Sequence, residues 1–129
     1  MSLAQRILVV EREDVLAQNV KSFLGRRFPD VRIARDGAHA IELLASFTPD
    51  VVVIGYKLAG ENGLQVYSEI MRRRTCPVGC VMITGYPLEK ISRTANELGI
   101  HHLLGKPFSL AELQRLVDQS AEEASRQLH

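Results

Sequence analysis

Five short apolar runs, ILVV at 7–10, VRIA at 31–34, VVVI at 51–54, CVMI at 80–83 and HLL at 102–104, alternate with stretches of helical spacing. This alternation restricts the fold more than any other feature. The first, third and fourth runs are almost continuously apolar and rich in β-branched residues, which is the pattern of strands buried on both faces of a parallel sheet. Between the runs, Leu16, Val20, Phe23 and Leu24 share one helical face, and Ile41, Leu44 and Ala45 share another. Tyr67, Ile70 and Met71 form a third stripe, Leu88, Ile91, Ala95 and Leu98 a fourth, and Leu110, Leu113 and Val117 a fifth. Spacings of three and four give each helix one apolar side to lay on a sheet.

The punctuation agrees. Pro29-Asp30 and Pro49-Asp50 each close a helical stretch before a strand, and Asp36-Gly37 reads as a turn. Asp14 suits a helix N-cap, and Gly99 suits the residue just past a helix end. Ser109 with Glu112 three residues on is the pattern of a capping box. The order is β-α repeated five times, which predicts an α/β fold with helices on both faces of one five-stranded parallel sheet. The doubly wound, flavodoxin-like strand order 2-1-3-4-5 fits, with its crevice outside the carboxyl ends of the strands.

A length of 129 residues is that of one compact domain, with a core at about 7–118 and a helical tail or lead-out at 119–129. Met1-Ser2-Leu3 reads as a leader. A formal net charge of +1 gives no drive towards nucleic acid or membrane. No apolar run is long enough to span a bilayer, and the signal-peptide pattern is absent, so a cytoplasmic location is expected. In that setting Cys76 and Cys80 are expected as free thiols, with Cys80 a buried small hydrophobe.

The residues following strands one, three, four and five are Glu11-Arg12, Gly55, Thr84-Gly85 and Lys106-Pro107. Together with ILVV, PDVVVIGYKLAGENGL, ITG and LLGKPFSLAEL, they make the chain resemble a receiver domain of the two-component response regulators, from about Ile7 to Val117. The resemblance implies an aspartate after strand three that takes a phosphoryl group from a histidine kinase. It also implies a pair of acidic residues after strand one that bind Mg²⁺. Here those positions hold Gly55, and Glu11 followed by Arg12.

An acyl phosphate needs a carboxylate nucleophile, and glycine offers none. Asp50, five residues upstream on the same strand, lies about 16 Å away. Glu61 would reach the position only if its loop folded inward. Glu11, Arg12 and Lys106 sum to a formal +1, where the family has three carboxylates against one lysine. Loss of Mg²⁺ is therefore expected, with Glu11 the residual ligand candidate. Either Arg12 pairs with Glu11 and Lys106 shares it, or both cations extend into solvent. Leu103 holds the place of the family's switching aromatic, and a leucine can pack inward permanently.

Other candidates carry less. Adjacent His101 and His102 point to opposite faces and read as surface residues. Arg72, Arg73 and Arg74 suit a solvated helix C-terminus. Gly60-Glu61-Asn62-Gly63 is a turn into a helix without a phosphate-loop pattern. Ala121, Ala124 and Leu128 extend the last stripe. That extension reads as a surface for a second copy, as a lead to a downstream effector domain, or as a frayed end.

The function expected is a receiver-like signalling module, not an enzyme, that has lost phosphoryl acceptance and engages a protein through its last two helices and fifth strand. Two alternatives stay open. One is phosphorylation at an unorthodox residue. The other is a small-anion or nucleotide sensor using the basic crevice at Arg12 and Lys106.

Overall fold

Each apolar run becomes a sheet strand, and each stripe becomes a helix. The computed structural model describes residues 4–128, without the side chain of Leu128. The leader reading of residues 1–3 and the end of the last stripe at Leu128 fall outside what it describes. The order is β1 (Arg6–Val10), α1 (Asp14–Leu24), β2 (Asp30–Ala34), α2 (Gly37–Leu43), β3 (Val51–Gly55), a hairpin of β4 (Lys57–Leu58) and β5 (Glu61–Asn62), then α3 (Gly63–Arg73). β6 (Gly79–Thr84), α4 (Leu88–Glu97), β7 (His102–Gly105) and α5 (Leu110–Ser125) follow, with a short 3₁₀ turn at Arg126–Leu128. The main sheet is parallel with order β2-β1-β3-β6-β7. Counting sheet strands alone, this is the expected 2-1-3-4-5.

The strand side chains divide with the period of two that a pleated sheet imposes. Leu8, Val10, Val52, Ile54 and Met82 pack with Ala40, Val66, Ile70, Ile91 and Ala95, which places α2, α3 and α4 on one face. Ile7, Val9, Val53, Val81 and Ile83 pack with Val20, Leu24, Leu113, Val117 and Ala121, which places α1 and α5 on the other. Cys80 is buried as expected, and burial raises its thiol pKa beyond the ordinary range.

Several local expectations need correction. Asp14 is not the cap of α1 but its first residue, and it pairs with Arg35 at 3.2 Å; Glu13 holds the N-cap position. Asp36-Gly37 is more than a turn, since the Asp36 carboxylate caps α2 by accepting from the His39 N–H at 2.8 Å. Ser109 accepts from the Glu112 N–H at 3.0 Å, but the Glu112 carboxylate turns away to Arg115. The complete capping box is at Asn62 and Gln65, which start α3. Leu98 leaves the α4 stripe and is 40% exposed. Gly99 does follow α4 with φ +99°, the left-handed backbone that ends a helix.

The extended stripe on α5 is spent on the chain's own body. Ser120, Ala121 and Ala124 are all buried. They can approach because Gly79 has no side chain: a Cβ there would lie 2.7 Å from the Ser120 carbonyl oxygen. Gly79→Ala is therefore expected to cost about 1–3 kcal/mol in thermal unfolding. Gly85→Ala, where an added Cβ meets nothing within 4 Å, is expected to be near neutral.

Candidate functional site

The strand ends β1, β3, β6 and β7 open into a crevice of about 280 Å³. It gathers Glu11, Arg12, Gly55, Thr84 and Lys106, all expected from the sequence, and adds Glu13, Tyr56, Lys57 and Tyr86. A parallel sheet brings these loops together because every strand ends on the same side.

Glu11 continues the β1 ladder through its N–H to the Ala34 carbonyl at 3.0 Å. Its side chain is 2% exposed and turns inward over Gly55. Oε2 accepts from the Glu13 N–H at 2.9 Å, while Oε1 is buried with no hydrogen-bond partner. A Cβ on residue 55 would lie 2.6 Å from that Oε1. The missing side chain of Gly55 is thus the space that the Glu11 carboxyl takes. Burial raises the pKa of Glu11, against the lowering pull of the Glu13 N–H and of Lys106 and Arg12.

A carboxyl whose folded pKa is raised costs stability when ionised. That cost is full above the folded pKa and is relieved as the pH falls through it towards the ordinary glutamate value. Glu11→Gln is accordingly expected to raise the melting temperature at pH 7 and to flatten the stability profile on its acid side. A lower melting temperature with an unchanged profile would count against this placement of Glu11.

The cations do not gather on Glu11. Lys106 donates from Nζ to Glu13 Oε1 at 3.1 Å. Arg12 is exposed and, among the described residues, has no ion-pair partner. Of the two alternatives, Arg12 follows the second and is solvated, whereas Lys106 follows neither, since it pairs with Glu13. The reason is that Glu11 is withdrawn under the strand end, whereas Glu13 stands at the rim. Thr84 is buried, and its hydroxyl oxygen accepts from the Tyr86 N–H at 2.9 Å. Leu103 is half-buried against the core, consistent with inward packing.

Neither neighbouring carboxylate reaches Gly55. Asp50 binds the Gln5 and Arg6 N–H groups at 2.8 and 2.9 Å, at the opposite end of β1. Glu61 on the hairpin lies against Gly37, at the start of α2. Among the described residues, no group of three or more His, Cys, Asp and Glu is placed to hold a metal ion. His101 bonds Asn96 at 2.8 Å, and His102 bonds Glu123 at 2.7 Å.

Lys57 and the two tyrosines escaped the sequence reading. Tyr56 and Tyr86 come from different strand ends, and nothing in their spacing announces that their rings meet, with centroids 5.2 Å apart.

An open parallel sheet with this strand order, and a charged crevice at its carboxyl edge, defines the doubly wound α/β class. Within that class, the chain belongs to the response regulator receiver domain family, whose model matches residues 7–118. It is similar to a CheY-like receiver domain protein from Methanospirillum hungatei at 18% identity and TM-score 0.86, covering 95% of this chain and 98% of that one. It is also similar to the signal receiver domain of an HD domain-containing protein from Pseudomonas fluorescens, at 28% identity and TM-score 0.84, with the same coverage. A third likeness is to NtrX from Brucella abortus, at 25% identity and TM-score 0.86, covering 98% of this chain but 29% of that one. The chain is thus a receiver domain of the two-component response regulators, a family of signalling modules that act on other proteins and effector domains. Among its described residues, no helix is long and apolar enough to cross a membrane.

Proposed function

We propose that this receiver domain accepts no phosphoryl group and works as a protein-interaction module in one fixed conformation. One observation carries the reading: at the tip of β3, Gly55 supplies no nucleophile, and the Glu11 carboxyl lies over it, shielded from solvent. A phosphodonor must approach the attacking oxygen in line. The buried Glu11 leaves no such approach.

Mg²⁺ does not fit the residues present. A small hard cation needs several oxygen ligands in near-octahedral array. Here Glu11 is folded away, Glu13 is held by Lys106, and the position beside Glu11 carries the guanidinium of Arg12. No step of the family's phosphoryl chemistry is therefore routed through a metal in this chain.

The surface offered to a partner is α4, β7 and α5. β7 is an edge strand whose four residues are all half-buried, and Leu98 at the end of α4 is exposed. Leu103 packs on the core beside this surface, which suits a surface of fixed shape. The partner is a protein of the same signalling chain or an effector domain. In this reading the module works in the cytoplasm.

Magnesium with beryllium fluoride, a stable stand-in for a carboxyl-bound phosphoryl group, tests this directly. The amide spectrum of the domain is expected to stay unchanged on their addition. Shifts spreading from residues 55 and 84 to β7 would overturn the reading.

A further inference from the structure

We infer that the crevice is a non-covalent site for a small anion carrying a planar ring, of the size and chemistry of a nucleoside monophosphate. Two independent features of the crevice converge on this class: its cations and its aromatic pair.

Arg12 and Lys57 both line the crevice, are exposed and, among the described residues, lack an ion-pair partner. Lys106 is the third cation there, and its charge is answered by Glu13. Glu11 is the remaining carboxyl, and it is turned under the strand end with 2% of its surface exposed. The charge a ligand would meet at the rim is therefore that of Arg12 and Lys57. Thr84 adds a hydroxyl. Its oxygen already accepts from the Tyr86 N–H, which leaves its proton to donate into the crevice. Two cations and a hydroxyl donor around one hollow are the equipment for a phosphate or carboxylate.

The aromatic feature is separate. Tyr56 and Tyr86 line the same crevice with ring centroids 5.2 Å apart and planes at 52°. Tyr86 is 47% exposed, one of the few large apolar side chains left open to water. The Tyr56 backbone is anchored by its N–H to the Ile83 carbonyl at 2.9 Å. A planar ring set against Tyr86 removes that face from water and gains ring–ring contact. The hollow of about 280 Å³ is on the scale of a mononucleotide.

The inference goes beyond the proposed function and has its own readout, because reversible binding adds no mass, whereas phosphorylation would. The test is an amide-resolved titration of the Mg²⁺-free domain with adenosine monophosphate, ribose 5-phosphate and inorganic phosphate. Adenosine monophosphate is expected to give saturable shifts at residues 12, 56–57, 84–86 and 106, with a Kd of about 1 mM or tighter. Arg12→Gln and Lys57→Gln are each expected to weaken it about tenfold. Tyr86→Ala is expected to weaken adenosine monophosphate and leave ribose 5-phosphate unchanged. All three side chains are exposed, and retained amide dispersion confirms that each variant is folded. Absence of saturable shifts, or equal affinity for adenosine monophosphate and ribose 5-phosphate, would overturn the inference. So would binding indifferent to Arg12 and Lys57.

Discussion

A chain carrying both Arg12→Asp and Gly55→Asp is expected to bind Mg²⁺ and to gain one phosphoryl group from a small phosphodonor, where the natural chain gains none. Each substitution supplies a different missing part. Asp at 55 supplies the carboxylate nucleophile at the tip of β3. Asp at 12 replaces a cation beside Glu11 with an oxygen ligand, so that Glu11, position 12 and position 55 present three carboxylates to one lysine. Room for the new side chain comes from Glu11. Its Oε1 lies 2.6 Å from where the new Cβ must go, and that oxygen has no hydrogen-bond partner to lose. Swinging it outward gives up the bond from the Glu13 N–H to Oε2, but relieves a desolvated carboxyl and delivers a ligand to the crevice. Gly55→Asp alone is expected to remain unmodified. Its carboxylate would face both Arg12 and Lys106, and the site would stay too poor in oxygen ligands to collect the metal. Intact mass and a calorimetric Mg²⁺ titration on the two variants check both statements.

The second large effect is on stability. Gly63→Ala is expected to destabilise the fold by about 3 kcal/mol, lowering the melting temperature by about 10 °C. An ordinary glycine-to-alanine change at a compatible backbone stabilises by about 0.4–1 kcal/mol, so the sign itself is diagnostic. The reason is contact. Gly63 opens α3, and its N–H donates to the Tyr56 carbonyl. A Cβ there would press into the Gly55 carbonyl oxygen and lie 3.0 Å from Met82 Cε. The methionine tip can move, but the backbone carbonyl of a central strand cannot. The alanine would have to lift the start of α3 away from β3. Calorimetric unfolding measures it, and an unchanged or raised melting temperature would contradict the close crossing of helix and strand.

These two glycines show how unevenly the sequence could be read. The runs ILVV, VVVI and CVMI announced buried strands because both faces of β1, β3 and β6 are covered, so every residue had to be apolar. Alternation announced the parallel sheet, and 2-1-3-4-5 is a doubly wound order that five such units fit. The absent carboxyl at Gly55 was equally plain, since chemistry requires an atom that glycine lacks. What Gly55 makes room for was not legible. That depends on the Glu11 side chain crossing from a neighbouring strand, a tertiary fact with no trace in local spacing. The partner of Lys106 was not legible for the same reason, because once Glu11 folds inward, Glu13 is the carboxylate left at the rim.

Helix starts failed more locally. Asp14 carries the preferred capping side chain, yet the backbone begins α1 one residue earlier and sends Asp14 to Arg35. Asn62 and Gln65 did carry a readable capping pattern, three residues apart, but the glycines around them pointed to a turn. The α5 extension was visible as a stripe. Its destination became clear only with Gly79, whose bare backbone lets Ser120 come close.

The most direct measurement is the intact mass of the natural chain after incubation with acetyl phosphate and Mg²⁺, beside the Arg12→Asp/Gly55→Asp variant as the competent control. The expected result is an unchanged mass for the natural chain and one added phosphoryl group on the variant. One added phosphoryl group on the natural chain would contradict the central claim that Gly55, with the Glu11 carboxyl folded over it, closes this site to phosphorylation.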